Sequence, residues 1–402
     1  MRRKRTGLAV IGVACALALA VSGCAKSSSN GDDSDLKLGL LTTLSGPSSS
    51  AFKTTKVGVD ARLAVYRQEK GKCADRNISV VQADDASTAQ GALTGAQKLV
   101  QQDKVYAVLP VTSYFFGAAP YMTSTAKGTP VIGAGFDGAK EWTRTDNNLF
   151  SAMPVPDFTK TYATTGLYFK SVGGTRVAAL ANNSPSAKLS VEANLKSSEA
   201  AGMTRGYVNT SIPFGSTDVG PIVLGIIRSK ADVVLMAINP DTAFAAVAGL
   251  RQAGYKTKAV LTSTGYGADL LESAPAVQAA QGVTFLTGWA PTELKTKATE
   301  RLSAAIKAQG VSSGVPAFNQ SLGWLTTDLF LHALDKAGCD ASQATLISTL
   351  RDDTTWNADG LYQATFDFHK AAPDKSCLYF LRLKGRAFVP EPNTPICGGI
   401  IG

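Results

Sequence analysis

Several groups of residues in this 402-residue sequence have types and spacings that could do chemistry. Gly133-Ala134-Gly135-Phe136-Asp137-Gly138 is a literal GxGxxG after an apolar run, the spacing at which glycines let a backbone approach a dinucleotide pyrophosphate. That fingerprint requires an apolar helix to follow at once. Ala139 to Asn148 (AKEWTRTDNN) is not one, so a dinucleotide enzyme is not expected. Ser50-Ala51-Phe52-Lys53 and Ser124-Thr125-Ala126-Lys127 match the SxxK of penicillin-interacting serine enzymes, but neither SDN nor KTG occurs and both matches read as chance. The two histidines, His332 in an amphipathic stretch and His369 beside Lys370 in a polar turn, give no nucleophile a base. Asp84 and Asp85 end an apolar run. Neighbours on a strand point to opposite sides and an Asp before a helix caps it, so the pair reads as structural. No enzymatic activity is expected.

Of the six cysteines, Cys15 and Cys24 lie near the N-terminus, leaving Cys73, Cys339, Cys377 and Cys397. There is no CxxC pair, which argues against zinc, and four thiols in an exported chain suggest two disulfides with three possible connectivities. Neither a metal nor a cofactor is expected. The formal net charge is +9, but Arg2, Arg3, Lys4 and Arg5 account for four of the 40 basic residues, leaving 36 against 31 acids. The remaining basic residues are scattered singly, so no nucleic-acid partner is expected.

The elements that must position any site begin after a distinctive N-terminus. Leu8 to Val21 is an uncharged apolar run of 14 residues behind the basic start, short for a membrane span and suited to a secretory signal. Val21-Ser22-Gly23-Cys24 resembles the bacterial lipobox. That resemblance implies a signal peptide over 1–23 and lipidation of Cys24, with 24–35 (Ser, Asn, Gly and Asp) as a tether to the outer face of the cytoplasmic membrane. After residue 35 no run of 18 apolar residues occurs, which excludes a permease.

From Leu36 short apolar runs alternate with helical periodicity. The pattern predicts strands at Leu36–Leu41, Ile78–Gln82, Val105–Leu109 and Pro130–Ile132, with helices at Lys56–Lys70, Ser87–Gln102 and around Tyr114–Ala126. A second set follows 148–154: strands at Arg176–Ala181, Arg205–Asn209, Asp232–Ala237, Lys258–Leu261 and Gly282–Leu286, with helices at Phe158–Ser171, Ala187–Ala201, Asp218–Ser229 and Thr242–Ala253. Helices at Glu293–Ala308, Asn319–Ala337 and Ser342–Leu350 precede a strand-rich end. Continuous apolar strands in βα repeats mean parallel sheets buried on both faces, and two such sets mean two α/β lobes.

In this order, Leu44-Ser45-Gly46-Pro47, Asp60-Ala61-Arg62, Ala83-Asp84-Asp85, Gly128-Thr129-Pro130, Arg176-Val177-Ala178 and Ala253-Gly254-Tyr255 make the chain resemble the type I periplasmic solute-binding proteins, in particular the branched-chain amino-acid group of ABC importers. The resemblance implies two doubly wound parallel-sheet lobes joined by a three-strand hinge, with lobes over 36–154 plus 290–370 and 155–289 plus 371–402. It further implies a monomer that captures a small amino-acid-like or polar-headed solute between the lobes and passes it to an ABC permease and its ATPase. The alternative is a component handing its solute to a separate membrane sensor. Bridges within a lobe leave a hinge free, so Cys73–Cys339 and Cys377–Cys397 are the expected pairs.

The same resemblance places Phe52, Thr112, Ser113, Gly135, Phe136 and Asp137 on one face of the cleft and Ser184, Ser186, Asn239, Ser263, Thr264 and Tyr266 on the other. Members that bind branched-chain amino acids hold the α-ammonium with a second-lobe carboxylate, where this sequence has Thr264. Threonine cannot neutralise an ammonium, and a buried unpaired cation costs several kcal/mol, roughly. Either Asp137 supplies the charge from the first lobe, or the solute has no ammonium.

Overall fold

The computed structural model describes residues 35–155, 160–370 and 374–401. The expected signal peptide, Cys24 and all of the tether before Asp35 lie outside the described residues. The first lobe has strands β1 (Asp35–Thr42), β2 (Asn77–Asp84), β3 (Ala107–Val111), β4 (Val131–Gly133) and β5 (Leu149–Ser151), with helices α1 (Thr55–Gln68), α2 (Ala89–Gln97) and α3 (Ala119–Ser124). All five strands pair in parallel in the order β2-β1-β3-β4-β5. Along β1, Leu36, Leu38 and Leu40 enter one core and Leu41 the opposite one, the two-sided burial that produces a continuous apolar run.

The second lobe has helices α4 (Thr164–Ser171), α5 (Pro185–Ala200), α6 (Gly220–Ser229), α7 (Pro240–Gln252), α8 (Ala268–Leu271) and α9 (Ala274–Ala279). Its strands are β6 (Arg176–Asn182), β7 (Thr204–Ile212), β8 (Val233–Ala237), β9 (Ala259–Thr262) and β10 (Thr284–Thr287). The chain then returns to the first lobe as α10 (Lys297–Ala308), α11 (Phe318–Ala337) and α12 (Gln343–Arg351). It ends on the second sheet as β11 (Lys375–Lys384), β12 (Ala387–Pro390) and β13 (Ile396–Gly399). The order there is β7-β6-β8-β9-β10-β11-β12, with β11 antiparallel to β10, β12 and β13. The chain thus passes between lobes three times, after β5, after β10 and before β11.

Helix starts follow from their caps. Thr88, Ser184, Ser273, Thr296 and Ser342 each accept a backbone N–H of the first turn, an interaction worth about 1 kcal/mol each. The helices α1 and α11 approach so closely that a Cβ on Gly58 would lie 1.8 Å from the Gln320 carbonyl oxygen. Only glycine fits there. The buried Arg62 of α1 bonds Asp328 of α11 at 2.6 Å, and Trp356 Nε1 donates to the other carboxylate oxygen at 2.7 Å. Cys73, after α1, is bridged to Cys339, after α11, and Cys377 of β11 to its direct partner Cys397 on β13.

Several details differ from the sequence pattern, among them the helices expected from Phe158 and Glu293, which start at Thr164 and Lys297. The strand expected to stop at Leu109 runs through Pro110 to Val111; Pro110 has no N–H, but its carbonyl still accepts from Ala134. The helix expected around Tyr114–Ala126 is divided into a 3-10 turn at Phe115–Gly117 and the short α3. Leu149–Ser151 is a fifth strand rather than part of a connection.

Candidate functional site

The C-terminal ends of both parallel sheets open onto one cleft of about 350 Å³, lined from both lobes. Helix N-termini and unpaired strand ends meet there in any doubly wound sheet. The loop after β1 is held by Asp84, which accepts the backbone N–H groups of Leu44 at 2.9 Å and Ser45 at 3.2 Å. Asp85 accepts from Thr43 Oγ1 at 3.0 Å and from Thr112 Oγ1, tying the ends of β1, β2 and β3 together. Both aspartates are therefore structural, as their position at a strand end implies.

The first-lobe wall is aromatic. Phe52 and Phe136 lie parallel with centroids 6.0 Å apart, Phe136 meets Phe318 edge-on at 6.0 Å, and Phe318 meets Trp289 at 5.6 Å. The facing wall brings polar groups from the ends of β6, β8, β9 and β10 (Asn182, Ser184, Ser186, Asn239, Ser263, Thr264 and Thr287) among apolar ones such as Phe214, Leu235, Ile238, Leu286 and Leu378. Lys160 and Lys375 line the cleft as well. Among the described residues lining the cleft there is no aspartate or glutamate.

Eight of the twelve expected residues line this cleft: Phe52, Ser113, Phe136, Ser184, Ser186, Asn239, Ser263 and Thr264. Four are turned away. Thr112 is buried, donating to Asp85 and accepting from Tyr114 N at 3.0 Å. Gly135 lies behind the wall, its N–H donating to Ser151 Oγ at 3.0 Å. Tyr266 is buried and donates to Glu293 Oε2 at 2.7 Å, and burial pushes the carboxyl of Glu293 upward. Asp137 is fully buried, accepting from Trp142 Nε1 at 2.5 Å and Ala139 N at 3.3 Å. Burial raises its carboxyl to about 7 against those hydrogen bonds. Asp137 thus does not supply a counter-charge in the cleft, and the reading in which it replaces a second-lobe carboxylate is corrected.

Trp289, Phe318, Phe214 and Asn182 were not among the expected residues. Trp289, Phe214 and Asn182 sit at or just beyond strand C-termini, where the sheet rule would have found them. Phe318 opens α11, and no local signal marks it.

The GxGxxG segment leads into a 3-10 turn at Lys140–Thr143. A literal GxSxG at Gly310–Gly314 forms a turn between α10 and α11 with Ser312 exposed, not the strand-to-helix turn a serine nucleophile needs. His332 bonds Asp353 at 2.7 Å outside the cleft. Among the described residues no cluster of His, Cys, Asp and Glu could hold a metal, and no helix is long and apolar enough to cross a membrane.

The lobes touch beside the cleft. Tyr114 of the first lobe meets Phe214 of the second with centroids 5.9 Å apart. Gly138 lies so near Ser186 that a Cβ there would come within 3.3 Å of the Ser186 Cα. With φ +87° the position also favours glycine on backbone grounds.

Comparison with solved structures finds the same fold repeatedly. A solute-binding protein of an ABC transporter from R. palustris in complex with benzoate superposes with a TM-score of 0.72 at 19% identity, over 92% of this chain and 98% of that one. A branched-chain amino acid ABC transporter protein from Thermus thermophilus with bound valine gives 0.72 at 18% identity, over 90% and 96%. A fatty acid ABC transporter substrate-binding protein from Thermomonospora curvata gives 0.74 at 17%, over 90% and 92%. Comparison with curated protein sequences finds no match. The periplasmic binding protein family model, in contrast, matches residues 35–387. This match, over two α/β lobes with a cleft between them, places the chain in the periplasmic binding protein family.

Proposed function

We propose that this protein is an extracytoplasmic solute-binding lipoprotein, without catalytic activity, that captures a small solute with an apolar body and a polar head carrying no ammonium, and delivers it to an ABC permease. The observation that carries the reading is the make-up of the cleft: a largely apolar and aromatic lining, hydroxyl and amide groups at the strand ends, and no carboxylate among its described lining residues. An ammonium enclosed there would find no counter-charge among those described residues, a cost of several kcal/mol, roughly. The similar proteins named with benzoate and with fatty acid fit an amine-free solute, and the one with valine shows that the fold also accommodates an amine.

Calorimetric titration with leucine, isoleucine and valine against their amine-free analogues tests this. Binding of the analogues and not the amino acids is expected; strong leucine binding overturns it. Identification of small molecules co-purified under native conditions names the solute. The lipid anchor is tested separately by mass spectrometry of the membrane fraction, where an acylated Cys24 N-terminus is expected and an unmodified one removes the anchor.

A further inference from the structure

The two lobes already meet beside the cleft. Besides the contacts of Tyr114 with Phe214 and of Gly138 with Ser186, a Cβ on Gly215, just after β7, would lie 4.0 Å from the Cβ of Pro47 in the loop after β1. Phe214 and Ser186 themselves line the cleft, so its walls have little room to draw closer at these points. The space of about 350 Å³ is therefore what a solute must fill, not a gap that further closure would remove.

That space is large for a solute of amino-acid size. A cavity of about 150 Å³ lined by apolar side chains takes one benzene. At the same fill the 350 Å³ of the cleft takes roughly fourteen atoms the size of carbon, and setting aside a few for a polar head leaves an apolar body of about ten. The side chain of leucine is less than half of that.

The lining is apolar on both sides, with Phe136, Phe318 and Trp289 facing Leu235, Leu286 and Leu378 of the second sheet. A small body would reach one wall and leave the other against a void, which forfeits dispersion contacts, or against water with few polar partners. Only a body that spans the cleft satisfies both walls.

Resting on the proposed amine-free solute, we infer that its apolar body has about ten carbons, the bulk of two fused rings or of a medium-length acyl chain, and that the cleft selects for that size.

Calorimetry on the full chain tests this with acids that share one head and differ in body: benzoate, 2-naphthoate and 1-pyrenecarboxylate for rings, hexanoate, decanoate and hexadecanoate for chains. Each carbon moved from water into an apolar site is worth roughly fourfold in affinity. In at least one series the middle member is expected to bind roughly tenfold tighter than the smallest, and tighter than the largest, and the series that shows this says whether the body is ring or chain. Ala237, at the end of β8, lines the cleft, and Ala237→Leu takes up part of the space. That variant is expected to cut the advantage of the middle member over the smallest to about twofold or less.

An optimum at benzoate and hexanoate, an unbroken rise to the largest member of both series, or an advantage untouched by Ala237→Leu overturns the inference. Each of these leaves the amine-free reading standing, whereas that reading fails on strong leucine binding whatever the order within the series. Should Ala237→Leu not fold, the wild-type series decide alone. If none of the six acids binds, the co-purified solute decides by the same measure: an apolar body of about ten carbons sustains the inference, and one no larger than a leucine side chain overturns it.

Discussion

The carboxylate of Asp137 accepts a hydrogen bond from the indole Nε1 of Trp142 at 2.5 Å, and this places the acid behind the cleft wall while its neighbour Phe136 faces the cleft. The loop after β4 is therefore an aromatic wall braced by a buried acid. It is not a charged binding surface.

A pH dependence follows. The Asp137 carboxyl stands at about 7 in the fold, raised by burial from an ordinary value of 3.8. Between those values the unfolded chain has released this proton and the folded chain keeps it, so this group's contribution makes stability fall as pH rises from about 4 to 7 and level off above. The linkage is of order 4 kcal/mol. Asp137→Asn keeps an acceptor for Trp142 and cannot ionise, so urea denaturation should show the variant gaining on wild type at pH 8 relative to pH 4. The same difference at both pH values would be evidence against a protonated Asp137.

The contact between Tyr114 and Phe214 bridges the two lobes beside the cleft. Aromatic pairs contribute about 0.5–1.5 kcal/mol beyond area burial. Phe214→Ala should therefore raise the dissociation rate of the co-purified solute roughly 2- to 10-fold with little change in its association rate. Stopped-flow measurement reads both, and an unchanged dissociation rate removes the pair from closure.

Arg62 and Asp328 form a buried ion pair between α1 and α11, with Trp356 on the second oxygen. Asp328→Ala leaves the guanidinium buried without its charge partner, which should cost about 3–5 kcal/mol. A loss under about 1 kcal/mol in urea denaturation would mean that water reaches Arg62.

The bridge between Cys73 and Cys339 joins two segments packed in the same lobe. Replacing both with serine should lower stability by about 2–4 kcal/mol while solute affinity stays within about twofold, because the bridge does not span the cleft. A large loss of affinity at preserved stability would link this bridge to closure.

The sequence by itself determined the two-lobe α/β architecture, because apolar runs such as LKLGLL in β1 and the helical stretches between them reflect local periodicity. The polar cleft residues Ser184, Ser186, Asn239, Ser263 and Thr264 were marked by the resemblance to a known family rather than by any local pattern. Tertiary packing decided the rest. Asp137 and Phe136 are adjacent, and which one faces the cleft depends on Trp142 offering an N–H from behind the loop. Phe318 reaches the wall made by Phe52 and Phe136 only because α11 returns to pack on α1, with Gly58 against the Gln320 carbonyl. Such relations join residues far apart in the chain, and no periodicity encodes them.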